Sequence, residues 1–173
     1  PLIAANIDAA GAVRDRGGTV SFDPNLRKEI LDAPGLKEAT ERIIELTTLF
    51  LPSGDELMLF ASGASEDDAI RMLLGRGVSA IVHKMGRDGA RYIDAAADIR
   101  VPAFSAKEVD PTGAGDCFGA TFTALWLRGE DPREALTQAA AAGAIAVTAR
   151  GPMEGVSTPA DVHRFIADQT NMP

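Results

Sequence analysis

The chain has 173 residues, of which 46% are hydrophobic and 24% charged, the usual proportions for one globular domain with a real core. Its formal net charge of −8 argues against nucleic acid and anionic membrane surfaces as partners. A single cysteine excludes an internal disulfide and fits a reducing compartment, so we expect a cytoplasmic protein. We see no signal-peptide pattern, and no apolar run of the roughly 18 residues that a membrane helix needs.

Short apolar runs alternate with amphipathic stretches along the chain. Apolar periodicity predicts helices over residues 1–16, 36–46, from 53, 65–74, from 115, 132–149 and from 158. β-Branched and apolar runs predict strands over 19–23, 47–51, 78–82, 90–93 and 99–104, the last two as a hairpin around 95–98. Helices alternating with short strands predict an α/β fold, a mostly parallel sheet in a three-layer helix–sheet–helix arrangement.

The most informative stretch is Asp-Pro-Thr-Gly-Ala-Gly-Asp-Cys-Phe-Gly-Ala at residues 110–120. The small residues Gly113, Ala114 and Gly115 let the backbone come close to a ligand. At the start of a helix they present free N–H groups and the positive end of the dipole, which together form an anion site. Asp116 follows directly, and a carboxylate there suits a general base for an alcohol that attacks a phosphate. The alternative is a glycine-rich turn before a core helix.

Two further segments follow predicted strands. Asp-Pro-Asn-Leu-Arg at residues 23–27 offers Arg27 to a phosphate or carboxylate and Asn25 as donor or acceptor. A capping turn with a solvated arginine explains that segment equally well. Ser53 and Glu56 match a capping box in which Ser53 is the N-cap of the next helix.

Glycines and alanines mark two more candidate surfaces. Gly86 and Gly89 flank a polar turn after Lys84, which allows close approach of a nucleotide but also fits a plain β-turn. Residues 140–146 are nearly all small, so another helix or an adenine ring could pack against them. We expect packing roles, not catalysis, for Cys117 and His83.

The string at residues 110–116, running into a helix, resembles the C-terminal signature of the ribokinase-like (PfkB) carbohydrate kinases. The string at 23–27 is similar to one in the 2-keto-3-deoxygluconate kinase and fructokinase branches. The resemblance covers nearly the whole chain, but only the C-terminal part of a family member. It implies a ribokinase-like fold without the N-terminal part and lid, and a single partial domain over residues 1–173 that carries the ATP-binding part. Such a piece should have weak or no activity alone.

The resemblance also implies an ATP-dependent sugar kinase that phosphorylates a hydroxyl of a keto-sugar or keto-sugar acid, such as 2-keto-3-deoxygluconate. Asp116 would be the base and, with Arg27, contact the substrate. The residues implied in ATP binding are Asn25, Lys84, Gly86, Gly89, Gly143 and Ala144. The sugar would be the small-molecule partner, and a homodimer is one expected state of the full-length protein.

Metal ions are implied at two places. Glu56 matches the glutamate of an Asn-x-x-Glu motif that organises Mg²⁺ through water, although Ser53 replaces the asparagine. Asp110 and Thr112, with the loop at residues 150–155, would surround a monovalent cation such as K⁺ through backbone carbonyls. Three alternatives stay open: a fructokinase or another ribokinase-like sugar kinase, a non-catalytic nucleotide- or sugar-binding module, and a dinucleotide-binding dehydrogenase domain. The last lacks a Gly-x-Gly-x-x-Gly motif after its first strand.

Overall fold

The structure is a computed structural model that describes residues 2–26, 35–60 and 65–170. The helices are α1 (Leu2–Arg14), α2 (Leu36–Leu46), α3 (Glu56–Leu59), α4 (Glu66–Gly75), α5 (Ala114–Leu127), α6 (Pro132–Ala146) and α7 (Pro159–Thr170). The strands are β1 (Ser21–Phe22), β2 (Leu49–Phe50), β3 (Ala80–Lys84), β4 (Ala90–Asp94) and β5 (Asp98–Val101). The predicted elements are therefore confirmed, with β1, β2 and β5 shorter than predicted, β3 shifted by two residues, and α6 ending three residues early.

The strands form one sheet in the order β1-β2-β3-β4-β5. β1 pairs parallel with β2, with Ser21 opposite Leu49, and β2 pairs parallel with β3, with Leu49 opposite Ala80. The connections on either side of β4 are too short for a parallel crossover, so β3, β4 and β5 follow one another as hairpins. The sheet is thus mixed, and the α/β prediction is confirmed.

By their contacts the residues fall into two compact units, each described by itself below. The first unit comprises Pro1–His83 and Ile93–Asp98, and the second comprises Lys84–Tyr92 and Ile99–Pro173. The expectation of a single partial domain stays a prediction.

The first unit has an aromatic core at the ends of its parallel strands. The rings of Phe22, Phe50 and Phe60 pack against one another, with centroids 5.1 to 5.9 Å apart. Buried aliphatic side chains of the helices and of β3 surround them, including Ile44, Leu57, Leu73 and Ile81. β2 and most of β3 are buried, which explains why the sequence shows continuous apolar runs there. This core fixes the points where the loops after β1 and β2 leave the sheet.

The second unit is built around α5 and α6. Phe122 of α5 is fully buried and packs on Tyr92 of β4, with ring centroids 5.8 Å apart. Small residues of α6 that face the interior are also buried, namely Ala135, Ala139, Ala141 and Ala142. Small side chains let α6 approach its neighbours closely, and α7 covers it through Val162 and Phe165. None of the helices in the described part of the chain is long and apolar enough to cross a membrane.

Candidate active site

The site of the second unit begins at Gly113, which precedes α5 with a left-handed φ of 84°. A Cβ on Gly113 would also overlap the backbone of Pro152, in the loop at residues 150–155. Both the backbone conformation and the close approach therefore require glycine here. The start of α5 is seated directly against that loop.

The first turn of α5 presents free backbone donors. The N–H of Ala114 donates to the carbonyl oxygen of Pro111 at 3.3 Å. Within the described residues, the N–H groups of Gly113, Gly115 and Asp116 have no hydrogen-bond partner. Unpaired N–H groups at a helix start, together with the positive dipole end, favour an anion. The predicted anion site therefore has its donors at residues 113, 115 and 116.

A lysine reaches the same turn. A Cβ built on Gly115 would lie 3.8 Å from Nζ of Lys84, and no other atom outside its own turn would come within 4 Å. The ammonium group thus stands next to the helix start, and glycine leaves the space between them open. The ammonium group and the free N–H groups of the helix start therefore border the same open space. This arrangement fits a bound anion, of which phosphate is the obvious candidate.

Asp116 is exposed on the first turn of α5. Within the described part of the chain its carboxylate makes no hydrogen bond or ion pair, so it is available to a substrate. Burial, and then the charge of Asp116, raise the pKa of the neighbouring Cys117 thiol. A thiol with a raised pKa is a poor nucleophile at neutral pH, which agrees with the packing role expected for Cys117.

Asp110 ties the turn before α5 to the loop at residues 150–155. One carboxylate oxygen accepts from the N–H of Thr112 and the other from the N–H of Gly151, both at 3.0 Å. Hydrogen bonds from Thr112, and then from Gly151, hold the pKa of Asp110 below its usual range. Each carboxylate oxygen thus holds one backbone N–H and ties the two segments together. A monovalent cation held by the backbone carbonyls of Asp110 and Thr112 remains a prediction.

The two glycines of the predicted nucleotide turn differ in what surrounds them. Gly86 begins a 3₁₀ turn, Gly86–Asp88, that follows β3, and Gly89 comes directly after it. Gly89 has a φ of 92°, and a Cβ there would overlap the carbonyl of Val101 at the end of β5. Gly86 has a φ of 57°, is exposed, and has no atom within 4 Å of a built Cβ. Close packing therefore explains why residue 89 is glycine, whereas the space beside Gly86 is open to a ligand. ATP binding by either glycine remains a prediction.

Gly143 of α6 lies directly behind the first turn of α5. A Cβ there would be 3.3 Å from the carbonyl oxygen of Ala114 and 3.5 Å from Cβ of Phe118. Close helix packing therefore explains the small residue at this position. An adenine wall formed by Gly143 and Ala144 remains a prediction.

In the first unit, Glu56 joins two loops. It is buried, with 9% exposed, and its two carboxylate oxygens accept from the N–H groups of Leu26 and Ser53, both at 2.7 Å. The glutamate half of the predicted capping box is thus present. The predicted N-cap at Ser53 is wrong, because α3 starts after Asp55, which makes no side-chain cap bond. By contrast, the Ser65 hydroxyl does cap α4, accepting from the N–H of Asp68 at 3.2 Å.

The structure describes the segment after β1 as far as Leu26. Asn25 is exposed and has a left-handed φ of 41°, which asparagine tolerates better than most residues. Arg27, predicted to contact the substrate, lies outside the described residues. The sequence patterns did not identify the tie from this segment to Glu56, because it spans 30 positions and leaves no local signal.

Within the described residues, no group of three or more His, Cys, Asp or Glu is arranged to hold a metal ion. Mg²⁺ keeps several waters and is usually bound by one or two carboxylates plus substrate phosphates, so it does not need such a cluster. Each oxygen of Glu56 retains acceptor capacity beyond its one backbone bond. The residues present therefore fit an ion contacted through water.

Residues 2–159 match the model of the pfkB family carbohydrate kinases. The chain belongs to that family. The resemblance found in the sequence is therefore confirmed, and the dehydrogenase alternative is ruled out.

Curated relatives agree with the family assignment. The chain is 32% identical to the aminoimidazole riboside kinase of Salmonella typhimurium over 98% of its length and 55% of that protein. It is 30% identical to the 2-dehydro-3-deoxygluconokinase of Thermoproteus tenax over 84% of its length and 46% of that protein. The chain thus spans about half the length of the curated relatives it matches.

Solved structures share the fold. An E. coli protein provisionally assigned as ribokinase II superposes with a TM-score of 0.93 at 42% identity, covering 96% of this chain and 54% of that one. Its complex with ATP and Mg²⁺ gives a TM-score of 0.89 and covers 92% and 52% of the two chains. The fructokinase of Vibrio cholerae, in a form with fructose, ADP and potassium, superposes with a TM-score of 0.84 at 26% identity, covering 94% of this chain and 55% of that one. The ribokinase-like fold predicted from the sequence is confirmed.

Proposed function

We propose that the full-length protein containing this chain is an ATP-dependent carbohydrate kinase. It transfers the γ-phosphate to a hydroxyl of a keto-sugar or keto-sugar acid. The observation that carries this proposal is the convergence of the Lys84 ammonium and the free N–H groups of α5 on the open space at Gly115. The ATP and Mg²⁺ bound by the E. coli relative support a nucleotide phosphate as the anion.

The anion cradle, formed by the N–H groups of Gly115 and Asp116 and the ammonium of Lys84, stabilises negative charge on the transferred phosphoryl group. In phosphoryl transfer, negative charge is spread over the phosphoryl oxygens, and catalysis consists mainly of positioning and electrostatic stabilisation. The N–H groups of Gly115 and Asp116 and the ammonium of Lys84 are fixed before the reaction by the helix and by β3. Preorganised donors of this kind need no reorganisation in the transition state.

Asp116 acts as the general base. Its exposed carboxylate stands beside the cradle, so a substrate hydroxyl can reach it while the phosphate occupies the amides. The carboxylate accepts the hydroxyl proton as the oxygen attacks phosphorus, and the ADP oxygen leaves in line. Gly143 and the loop at residues 150–155 hold the first turn of α5 in place from behind and from the side.

Two kinds of ion complete the proposal. Mg²⁺ would neutralise charge on the phosphate oxygens, and Glu56 would accept hydrogen bonds from its water ligands. The backbone carbonyls of Asp110 and Thr112 would hold a monovalent cation, where the carboxylate of Asp110 ties the two segments together. The potassium in the Vibrio cholerae fructokinase supports this second ion.

The substrate class rests on the segment at residues 23–27, in which Asn25 contacts the nucleotide and Arg27 the sugar. Fructose or another ribokinase-like substrate is the second candidate, and a non-catalytic nucleotide- or sugar-binding module is a candidate of another class. Because the chain spans about half of its relatives, we expect weak or no activity from it alone. The full-length protein would act in the cytoplasm. A homodimer is one expected oligomeric state.

The test is a phosphorylation screen of the full-length protein with ATP and Mg²⁺. 2-Keto-3-deoxygluconate, fructose, tagatose and ribose are offered separately, and sugar phosphates are detected by phosphorus NMR. We expect transfer to the keto acid above the other three. Transfer to fructose alone would select the fructokinase alternative. ATP binding without transfer to any sugar would select the non-catalytic module.

A further inference from the structure

His83 has two buried contacts that no role assigned so far explains. It lies on β3 in the first unit, with 6% of its surface exposed. Its Nε2 is 2.9 Å from the carbonyl oxygen of Gly54. Its Nδ1 is buried without a hydrogen-bond partner and lies 3.5 Å from Oε1 of Glu66, in the first turn of α4. The ring therefore stands between α4 and the loop that precedes α3.

The Gly54 contact determines the tautomer. A carbonyl oxygen can only accept, so Nε2 must carry a hydrogen and donate it. In the neutral ring Nδ1 then holds a lone pair, and within the described residues it makes no hydrogen bond although Oε1 of Glu66 lies 3.5 Å away. The opposite tautomer would place two acceptors against each other at 2.9 Å.

The bonded carbonyl belongs to a loop with a second tie. Gly54 has a left-handed φ of 49° and no atom within 4 Å of a built Cβ, so packing around its side does not hold it. The loop's other tie is Glu56, whose carboxylate accepts from the N–H groups of Ser53 and Leu26. The loop is thus fixed by a carboxylate at one point and by the His83 ring at another.

We propose that His83 is a positioning residue: through Nε2–H···O=C of Gly54 it holds the loop at residues 53–55 and thereby the carboxylate of Glu56. The contact is made entirely within the first unit and requires neither nucleotide nor metal. Its catalytic consequence rests on the proposed function, in which Glu56 acts on the waters of Mg²⁺.

The structural part is tested by amide hydrogen exchange in the full-length protein. His83→Gln keeps a side-chain N–H donor, whereas His83→Leu fills the space without one. For His83→Leu we expect about fivefold faster exchange at Ser53 and Leu26, the factor for loss of one ordinary hydrogen bond, and near-native rates in His83→Gln. The amide of Ala39 in α2 serves as the control and should not change. Unchanged exchange in His83→Leu, or equal acceleration in both variants, would overturn the proposal.

A second measurement does not depend on either variant folding. In the wild-type protein, at a pH where the ring is neutral, the ¹⁵N resonance of Nε2 should show a protonated nitrogen and that of Nδ1 an unprotonated one. The reverse assignment contradicts the hydrogen bond to Gly54.

The catalytic part is tested by titrating Mg²⁺ in the kinase assay. We expect His83→Leu to require a higher Mg²⁺ concentration for half-maximal rate, and His83→Gln to restore the wild-type value. A purely structural role would lower the amount of folded enzyme without moving that concentration. Failure of the proposed function would appear differently, as no phosphoryl transfer in the wild type, while the exchange result would still decide the role of His83.

Discussion

Lys84 and Gly115 define the centre of the candidate site: the lysine Nζ lies 3.8 Å from the point where a side chain on residue 115 would begin. The residues are 31 positions apart, and β3 and α5 bring them together. A positive group and a helix start face the same open space, which an anion would fill.

Gly115→Ala tests whether that space is used. Alanine at 115 meets only ordinary contact distances, and glycine to alanine in a helix stabilises by about 0.5–1 kcal/mol. We therefore expect unchanged or higher stability, together with about tenfold lower kcat/KM for ATP, because the methyl group enters the phosphate space. Steady-state kinetics and urea unfolding measure both. The control is Gly11→Ala in α1, where a new Cβ would meet no atom within 4 Å, and it should stabilise the protein without changing its kinetics. An unchanged kcat/KM in Gly115→Ala would argue against a phosphate at this position.

Lys84→Met removes the ammonium and keeps most of the side-chain length. If the lysine stabilises charge on the transferred phosphate, kcat/KM should fall by a factor of about 100 or more, the loss typical of one preorganised donor. Lys107→Met changes an exposed lysine of the same unit and provides the control for net charge. Equal kinetics for the two variants would remove Lys84 from the site.

Gly113→Ala should destabilise the protein more than Gly129→Ala does. Both glycines have a left-handed φ, of 84° and 78°, so each substitution costs about 1–2 kcal/mol in backbone strain. At Gly113 the new Cβ would also overlap the backbone of Pro152, whereas a Cβ at Gly129 would meet no atom within 4 Å. The difference between their unfolding free energies in urea isolates the contact between the helix start and the loop. Equal costs would show that this contact does not constrain the turn.

Asp110 should contribute to acid sensitivity. Hydrogen bonds lower its pKa in the folded protein, so its stabilising contribution is complete above the unfolded pKa of about 3.9 and is lost as pH falls through the lower folded value. Asp110→Asn should therefore unfold at lower Tm near neutral pH, and its Tm should fall less than that of wild type below about pH 4. Thermal unfolding between pH 7 and 2 measures this. Parallel Tm curves would mean that Asp110 carries no such linkage.

Local sequence patterns predicted most of the fold. Apolar periodicity located α2 and α4. The capping box at Ser53 did not locate α3: Glu56 does accept from the N–H of Ser53, but it also accepts from the N–H of Leu26, and the helix begins only at Glu56. A capping box thus predicted one hydrogen bond correctly and the helix start incorrectly.

The candidate site was predictable where its parts are adjacent in sequence. Asp116 and the small residues before it form one continuous motif, so their proximity followed from the helix start. The closeness of Lys84 to Gly115, of Gly113 to Pro152 and of His83 to Gly54 depends on tertiary packing. Such contacts leave no periodic signal, and His83 was expected only to pack.

The turnover number of full-length Asp116→Asn, compared with wild type under saturating ATP and sugar, tests the central claim most directly. Asparagine keeps the shape and loses the base, so we expect kcat to fall by more than about two orders of magnitude with little change in stability. Asp161→Asn, an acid in the first turn of α7, is the matched control and should retain wild-type turnover. A turnover of Asp116→Asn within about tenfold of wild type would contradict its role as the base.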